Sequence, residues 1–348
     1  MTKLGVLFSV LGVGAGCIPA FAQKQLPNII VMLSDDQGWG DLGFTGNTFV
    51  QTPNIDRIAH EGTILENFYV CPVSSPTRAE FLTGRYHVRS GVNSTTGGGE
   101  RFNLGEKTIA EYFREAGYAT SLFGKWHSGT QYPYHPNARG FEEFYGFCSG
   151  HWGNYWNPVL EHNGEIISGE GFIIDDLTDK ALDYIRDHKE HPFFMFLSYN
   201  TPHSPMQVPD SWWNRVKDRT LSQRATFPEQ EDTTFTKAAL ALAENLDWNI
   251  GRVLSLLHSL DLEQETIVIY FSDNGPNSFR WNGGMKGRKG STDEGGVRSP
   301  FCIRWPGHIR KGAVETQLSG AIDLIPTLLG LAGIEYTPLR KLDGIDWG

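Results

Sequence analysis

LPNIIVMLSDDQGWGD, residues 26–41, is the stretch that decides the fold. Residues 29–33 form a short apolar run rich in residues that favour β-structure, and acidic residues follow at once. This pattern predicts a buried strand that carries Asp35 and Asp36 at its C-terminal end.

The same succession of helix, strand and polar loop repeats along the chain. Residues 193–197 and 266–271 predict two more buried strands, and residues 236–260 predict a long amphipathic helix. We therefore predict an α/β fold with a large, mostly parallel central sheet and helices on both faces. Ligands of such sheets bind beyond the C-terminal ends of the strands. Residues 209–236 are polar and are predicted to be a surface excursion.

Charge and the N-terminal residues limit where the protein acts. The chain has 348 residues and a net charge of −10, which argues against non-specific nucleic-acid binding. Lys3 precedes an apolar run that ends in Ala-Phe-Ala at residues 20–22. This predicts a signal peptide over residues 1–22 and export, most simply to a bacterial periplasm, with no stable membrane insertion after cleavage. A lipoprotein signal at Cys17 is disfavoured by Gly14.

Two pairs of oxygen-bearing side chains end two of the predicted strands. Asp35 and Asp36 follow the first strand, and Asp273 and Asn274 follow residues 266–271. If these strands are neighbours, three carboxylates and one amide meet, and such hard oxygen ligands suit Ca²⁺ or Mg²⁺. The alternative is that each pair only caps a helix or forms a turn.

A set of cationic or titratable side chains lies in loops of the same kind: Arg78, Lys125, His127, His203 and Lys289. Each of them alone could simply be solvated. Together, around a divalent cation, they are what a tetrahedral oxyanion substrate needs, because they neutralise its oxygens and the charge that develops in the transition state.

Several segments resemble the sulfatase family. SSPTRAEFLTGRY is similar to its signature, in which Cys or Ser, any residue, Pro, any residue and Arg precede Leu-Thr-Gly-Arg. NIIVMLSDDQGWGDLG, GKWHSG, NTPHSP, FSDNGP and GRKGSTDEGGVRSPF resemble further sulfatase blocks in the right order. The resemblance implies a formylglycine-dependent, arylsulfatase-like enzyme of the alkaline phosphatase superfamily. It also implies a catalytic domain over residues 23–348, with a smaller C-terminal subdomain largely missing.

The family spacing selects the nucleophile. It places this residue two before Pro and four before Arg, so Pro76 and Arg78 select Ser74 rather than Cys71 or Ser75. The resemblance implies that a maturation enzyme oxidises Ser74 to formylglycine (3-oxoalanine), which hydrates to a diol. One hydroxyl then attacks sulfur, and the second loses its proton as sulfate departs. Ser74 is either native or a replacement of the commoner Cys.

The resemblance also implies the metal ligands. Oxygen atoms of Asp35, Asp36, Asp273 and Asn274 would hold Ca²⁺, or alternatively Mg²⁺. A hydroxyl of residue 74 and a sulfate oxygen would complete the shell.

Five other residues receive catalytic roles from the resemblance. Arg78 and Lys125 would steady the diol and its charge. His127 would take the second proton and so help to expel sulfate. His203 would protonate the leaving alkoxide, and Lys289 would clamp a sulfate oxygen.

Substrate and rival functions are the last predictions from the sequence. The signal peptide and the Trp-rich loop GHWGNYWNP favour a sulfated carbohydrate over a small aryl sulfate. Candidate pocket residues are His135, Arg139, His151 and Trp152. The nearest rival is a phosphodiesterase or phosphonate monoester hydrolase of the same superfamily. A rival of another class is an inactive sulfoglycan-binding protein in which Ser74 stays unmodified.

Overall fold

The structure is a computed structural model that describes residues 26–348, so the predicted signal peptide lies outside the described residues. The strands are β1 (Asn28–Ser34), β2 (Thr63–Leu65), β3 (Phe68–Tyr69), β4 (Ala119–Lys125), β5 (Glu143–Phe147), β6 (Val159–His162), β7 (Glu165–Ser168), β8 (Phe193–Ser198), β9 (Thr266–Ser272), β10 (Phe301–Arg304), β11 (Ala313–Glu315) and β12 (Ser319–Gly320). The helices are α1 (Pro53–Glu61), α2 (Ser74–Thr83), α3 (His87–Ser90), α4 (Ile109–Glu115), α5 (Ile173–Asp187), α6 (Asp210–Val216), α7 (Thr233–Ser259), α8 (Glu294–Val297) and α9 (Leu324–Ala332).

Ten strands form one sheet in the order β11-β2-β10-β9-β1-β8-β4-β5-β6-β7. Its centre, β9-β1-β8-β4-β5, is entirely parallel, and antiparallel strands flank it on both sides. The strand predicted from residues 29–33 is β1, which lies in the middle. The C-terminal ends of β9, β1, β8 and β4 therefore open at one edge. Predicted site residues lie at or just after these ends: Asp273, Asn274, Asp35, Asp36, His203, Lys125 and His127.

Helices cover both faces of the sheet, because β1 is apolar on both. Ile29, Val31 and Leu33 belong to a core with residues of α2, α4 and α9. Ile30 and Met32 point the other way, into a core with residues of α1, α5 and α7. The prediction of an α/β fold with a large, mostly parallel sheet covered on both faces is confirmed.

The structure adds detail in three places. Residues 209–236 are not a plain excursion, since they contain α6 and the first turn of α7. Val216 of α6 packs in a small cluster with Phe49 and with Leu240 of α7. Cys71, Cys148 and Cys302 are free and buried. None of the helices in residues 26–348 combines the length and the apolar composition needed to cross a membrane.

Candidate active site

The register between β1 and β9 brings the two oxygen-bearing pairs together. Ser34 is opposite Ser272, so Asp35 and Asp36 leave the sheet beside Asp273 and Asn274. The backbone N–H of Asp36 donates to Asp273 Oδ1 at 3.2 Å, and Asn274 Nδ2 donates to Asp36 Oδ1 at 2.8 Å. All four side chains are almost fully buried. Asp36 has a φ of 65°, an uncommon conformation that turns its side chain into this cluster.

The electrostatics of this cluster fit a bound cation. Burial and the charge of Asp35 raise the pKa of Asp273. Burial opposes ionisation of Asp35 too, but Lys125, His203 and Arg78 together hold its pKa well below the usual value. Asp35 Oδ1 and Asn274 Oδ1 are buried without a hydrogen-bond partner. Because buried oxygen atoms without partners are costly, this hard-donor set fits Ca²⁺ or Mg²⁺.

Ser74 begins α2 and lies at the floor of a cavity. Its neighbour one turn later, Arg78, donates from Nε to Ser74 Oγ at 2.8 Å. This contact follows from helical geometry, since residues four apart lie on the same face. The Ser74 side chain is buried, but it lines the cavity and is reached from there.

The Arg78 guanidinium is fixed on all sides. Nη1 donates to the Lys125 carbonyl at 3.0 Å and to Ser198 Oγ at 2.6 Å, while Nη2 pairs with Asp273 Oδ2 at 3.1 Å. Arg78 is fully buried, and these bonds satisfy its charge. Ser198 ends β8 and was not predicted as a site residue. Only its position on a strand between β1 and β4 could have indicated it.

His127 has a defined orientation. Its Nε2 faces the Thr95 carbonyl at 2.8 Å and its Nδ1 faces Ser74 Oγ at 3.2 Å. Because a carbonyl can only accept, Nε2 carries the proton and Nδ1 is free to accept one from residue 74. Burial and the nearby Lys125 charge lower the pKa of His127 to about 3. The ring is therefore a neutral base at ordinary pH.

Two residues that the sequence did not indicate complete this arrangement. Thr95 supplies the carbonyl that orients His127. Gly150 leaves room for the ring, since a Cβ there would lie only 2.2 Å from His127 Nε2. Neither residue type signals a site by itself, because backbone acceptors and close approaches appear only in the folded chain.

The remaining cations surround the acidic cluster. Lys125 Nζ pairs with Asp35 Oδ2 at 2.7 Å, and Lys289 Nζ pairs with Asp36 Oδ1 at 2.5 Å. Burial lowers the pKa of Lys125. For Lys289, burial also works against the charge, but Asp36 and the other carboxylates raise its pKa overall. His203 donates from Nδ1 to the Ser204 carbonyl at 2.7 Å and turns Nε2 to Asp36 Oδ2 at 3.5 Å.

These side chains line one cavity of about 410 Å³. Its lining combines the two lysines and three histidines with Ser74 and residues of neighbouring segments: Val73, Ser74, Thr95, Thr96, Lys125, His127, Ser149, Gly150, His151, His203 and Lys289. The cavity wall is thus cationic above a buried anionic cluster. This arrangement can bind a divalent cation and, over it, a tetrahedral anion.

The four predicted pocket residues have different positions. His151 lines the cavity and lies 5.2 Å, centroid to centroid, from His203. Trp152 stacks on Phe147 and packs on the core. His135 is outside the cavity, paired with Glu161 at 2.5 Å. Arg139 is buried elsewhere, where Nη2 donates to the Glu106 carbonyl at 2.6 Å. Sequence proximity to the site did not predict these tertiary partners.

A larger cleft of about 780 Å³ lies between α5 and the β4–β7 edge of the sheet. Five carboxylates and a single lysine line it: Glu142, Glu143, Glu170, Asp183, Asp187 and Lys180. It contains none of the predicted site residues, and its acidity would repel an anionic substrate. The smaller, cationic cavity is therefore the candidate site.

Sequence comparison identifies the family. A family profile described as Sulfatase matches residues 27–334. N-acetylgalactosamine-6-sulfatase of Sus scrofa is 32% identical over 377 residues, covering 98% of this chain and 68% of that protein. Steryl-sulfatase of Mus musculus is 29% identical and covers 94% of this chain and 65% of that protein.

Solved structures agree. Ps i-CgsB in complex with k-i-k-neocarrahexaose has a TM-score of 0.82 and 32% identity, covering 92% of this chain and 75% of that chain. A sulfatase from Pseudoalteromonas sp. has a TM-score of 0.78 and 27% identity, covering 92% and 71%. The phosphonate monoester hydrolase of Agrobacterium radiobacter, at 19% identity and a TM-score of 0.70, shares the fold. The chain therefore belongs to the sulfatase family, the hydrolases of sulfate esters, as its motifs predict.

Proposed function

We propose that this chain removes sulfate from a sulfated carbohydrate, with Ser74 converted to formylglycine and Ca²⁺ bound beside it. One observation carries the proposal. Ser74 Oγ lies 2.8 Å from Arg78 Nε and 3.2 Å from His127 Nδ1, at the floor of a cationic cavity. One neighbour stabilises negative charge on this oxygen and the other accepts its proton, as a nucleophile requires.

Asp35, Asp36, Asp273 and Asn274 would hold the cation, and Mg²⁺ is the alternative to Ca²⁺. When bound, the cation neutralises sulfate oxygens, and the hydrated aldehyde of residue 74 supplies two hydroxyls, one for attack and one whose deprotonation releases sulfate. The unpartnered oxygens of Asp35 and Asn274 support this assignment.

The other residues act around this centre. Arg78 holds the oxygen of residue 74 through Nε, and Lys125 adds positive charge. His127 accepts a proton at Nδ1, since the Thr95 carbonyl keeps the other proton on Nε2. His203 donates a proton from Nε2 to the leaving alkoxide, and Lys289 holds a sulfate oxygen.

Two observations support a carbohydrate as the substrate: the names of similar proteins and the residues that line the cavity. One relative is named for N-acetylgalactosamine 6-sulfate, and one similar structure holds a neocarrahexaose. Thr96, Ser149 and His151 line the cavity and carry side-chain groups that can hydrogen-bond with sugar hydroxyls.

Conversion of Ser74 needs a maturation enzyme and, in this proposal, export through residues 1–22 to the periplasm. Peptide mass spectrometry of protein from the native host tests the conversion, which removes about two hydrogens from Ser74. N-terminal sequencing of the same sample tests cleavage after Ala22. Unmodified Ser74, with tight glycan binding and no turnover, would instead support the inactive sulfoglycan-binding protein.

A substrate panel tests the reaction. The matured protein is assayed with sulfated mono- and oligosaccharides, 4-nitrophenyl sulfate, and phosphate diesters. We expect sulfate release from at least one sulfated sugar. Much faster turnover of phosphate diesters than of every sulfate ester would refute the proposal in favour of the phosphodiesterase class.

The two histidines are distinguished by leaving group. His203→Ala should slow poor leaving groups, such as sugar alkoxides, far more than 4-nitrophenolate, because only the former need protonation. His127→Ala should slow sulfate release with every ester. His258→Ala on α7, 75% exposed in its side chain, is the control. Equal effects of both active-site changes on both ester classes would contradict these roles.

A further inference from the structure

A second cavity, of about 390 Å³, adjoins the candidate active site. The two cavities have no lining residue in common, but two chain segments run from the lining of one cavity into the lining of the other. In the first segment, Thr95 and Thr96 line the active site and Gly97 and Gly98 line the second cavity. In the second, His127 lines the active site and residues 130–132 and Tyr134 line its neighbour. A chain of sugars leaving the active site over this boundary would enter the second cavity.

Arg101 is the cation of this second cavity. Its guanidinium carbon lies 5.0 Å from the centroid of the Tyr134 ring, and its Nε donates to the Gly98 carbonyl at 3.1 Å. No carboxylate of residues 26–348 lies within 4.0 Å of its nitrogens. Stacking on an aromatic face leaves the guanidinium edge available for an anion.

Glu100, the acidic residue next to Arg101 in the chain, does not form an ion pair with it. Glu100 also lines the cavity, but its Oε2 accepts from the Gly98 backbone N–H at 2.8 Å. Arg101 therefore carries a positive charge that no carboxylate of the described residues neutralises, on a chain with a net charge of −10. It favours an anionic ligand.

Aromatic surface lies beside this cation. Tyr134 is held because its carbonyl accepts from Trp126 Nε1 at 2.9 Å, and Gly129, with a φ of 112°, allows its close approach. Tyr132 is 83% exposed at the rim. Tyrosine rings present a flat apolar face with a polar tip, which suits the mixed surface of a sugar ring.

We infer that this cavity binds the sugar next to the one that loses sulfate, with an anionic group of that sugar on Arg101. The inference rests on the proposed function and narrows it: the substrate is a polyanionic oligosaccharide or polysaccharide rather than a monosaccharide. Arg101 touches only the neighbouring sugar, so it decides specificity and takes no part in the chemistry.

Kinetics with three substrates test this subsite: N-acetylgalactosamine 6-sulfate, a chondroitin 6-sulfate tetrasaccharide and a carrageenan tetrasaccharide. The two tetrasaccharides distinguish a neighbouring uronate from a neighbouring sulfate. We expect at least one to have a lower KM than the monosaccharide. Arg101→Gln should raise that KM about 10-fold, in line with the loss of one charged hydrogen bond, and leave the monosaccharide unchanged. Arg101→Lys should restore part of the effect.

Arg252→Gln is the control, because Arg252 also lies over an aromatic ring, that of Trp248 on α7, but pairs with Asp179 and lies outside both cavities. The subsite is refuted if neither tetrasaccharide has a lower KM than the monosaccharide. It is refuted as well if Arg101→Gln leaves that difference in KM unchanged. It is also refuted if Arg101→Gln impairs all substrates equally, since this would mean a general disturbance of the loop that orients His127.

A failure of the proposed function is separable from a failure of the subsite. If no sulfate ester is turned over, calorimetric titration of the same three ligands into Ser74→Ala and into the Ser74→Ala/Arg101→Gln double variant decides. If a tetrasaccharide binds more tightly than the monosaccharide and this difference depends on Arg101, the subsite stands although the proposed reaction does not. Absence of that dependence refutes the subsite.

Discussion

Gly150→Ala is expected to disable the site through a single methyl group. The new Cβ would lie 2.2 Å from His127 Nε2 and 2.6 Å from Cδ2 and Cε1, where ordinary contact begins at 3.4 Å. The imidazole must therefore move by about 1.2 Å, the difference between 3.4 and 2.2 Å. It cannot move cheaply, because Thr95 and Ser74 hold both of its nitrogens.

A movement of this size breaks the bond between His127 and residue 74. Their present separation is 3.2 Å, so a displacement away from Ser74 takes the atoms out of hydrogen-bond range, and a displacement toward it makes them clash. A misplacement of about 1 Å can cost about 100-fold in rate. We therefore expect kcat for a sulfate ester to fall roughly 100-fold.

Gly153→Ala is the matched control in the same loop, because nothing lies within 4 Å of a Cβ at that position. Steady-state hydrolysis of 4-nitrophenyl sulfate by the matured variants, with thermal melting to confirm folding, gives the comparison. If Gly150→Ala, with residue 74 converted, is as active as Gly153→Ala, the geometry assigned to His127 is wrong.

Three further predictions concern the metal cluster, the guanidinium and a buried acid. Removal of divalent cations by EDTA should lower the melting temperature by about 4 °C, since a ligand at 100 times its Kd stabilises by about 2.7 kcal/mol; melting curves that stay the same with and without added Ca²⁺ or Mg²⁺ would contradict the site. Arg78→Lys should lower kcat roughly 100-fold, because a lysine side chain cannot reproduce the hydrogen bonds of the guanidinium. Ser198→Ala should lower the free energy of unfolding by about 1 kcal/mol and affect kcat less. Equal losses of kcat in the two variants would disprove this difference. Burial raises the pKa of Asp247 to about 7, so the native state holds a proton that the unfolded state has lost above pH 3.8, and stability falls as pH rises through this window. Between pH 5 and pH 8, the free energy of unfolding of Asp247→Asn, measured with urea, should therefore rise relative to that of the wild type by on the order of 2 kcal/mol. A difference between the two proteins that does not change with pH would refute the raised pKa.

Much of the fold followed from local pattern. The run at residues 29–33 predicted a buried strand, and β1 occupies the centre of the sheet because both of its faces are apolar. The acidic residues behind such strands marked the edge where the candidate site lies. The structure of residues 209–236 was harder to predict from the sequence, because α6 is short and packs on a small satellite cluster whose members are distant in sequence.

Pocket residues were harder to predict from sequence than strand ends. His151 and Arg139 were both predicted to line the pocket, yet only His151 lines the cavity. Arg139 donates a hydrogen bond to the Glu106 carbonyl and lies over the Phe102 ring. No local sequence pattern specifies these neighbours. A loop residue's position depends on tertiary contacts, so its type and sequence neighbourhood do not determine where it points.

The sequence by itself determined the fold class and the family, because strand periodicity and the family's motifs are local properties of the chain. The spacing to Pro76 and Arg78 likewise predicted Ser74 as the nucleophile. Only the tertiary structure decided which groups surround that serine. The parallel register of β1 and β9 joins residues about 240 apart, and Thr95 and Gly150 act through a carbonyl and a missing side chain. Such roles depend on which backbone atoms meet in space, and every residue has those atoms, so no residue type signals them.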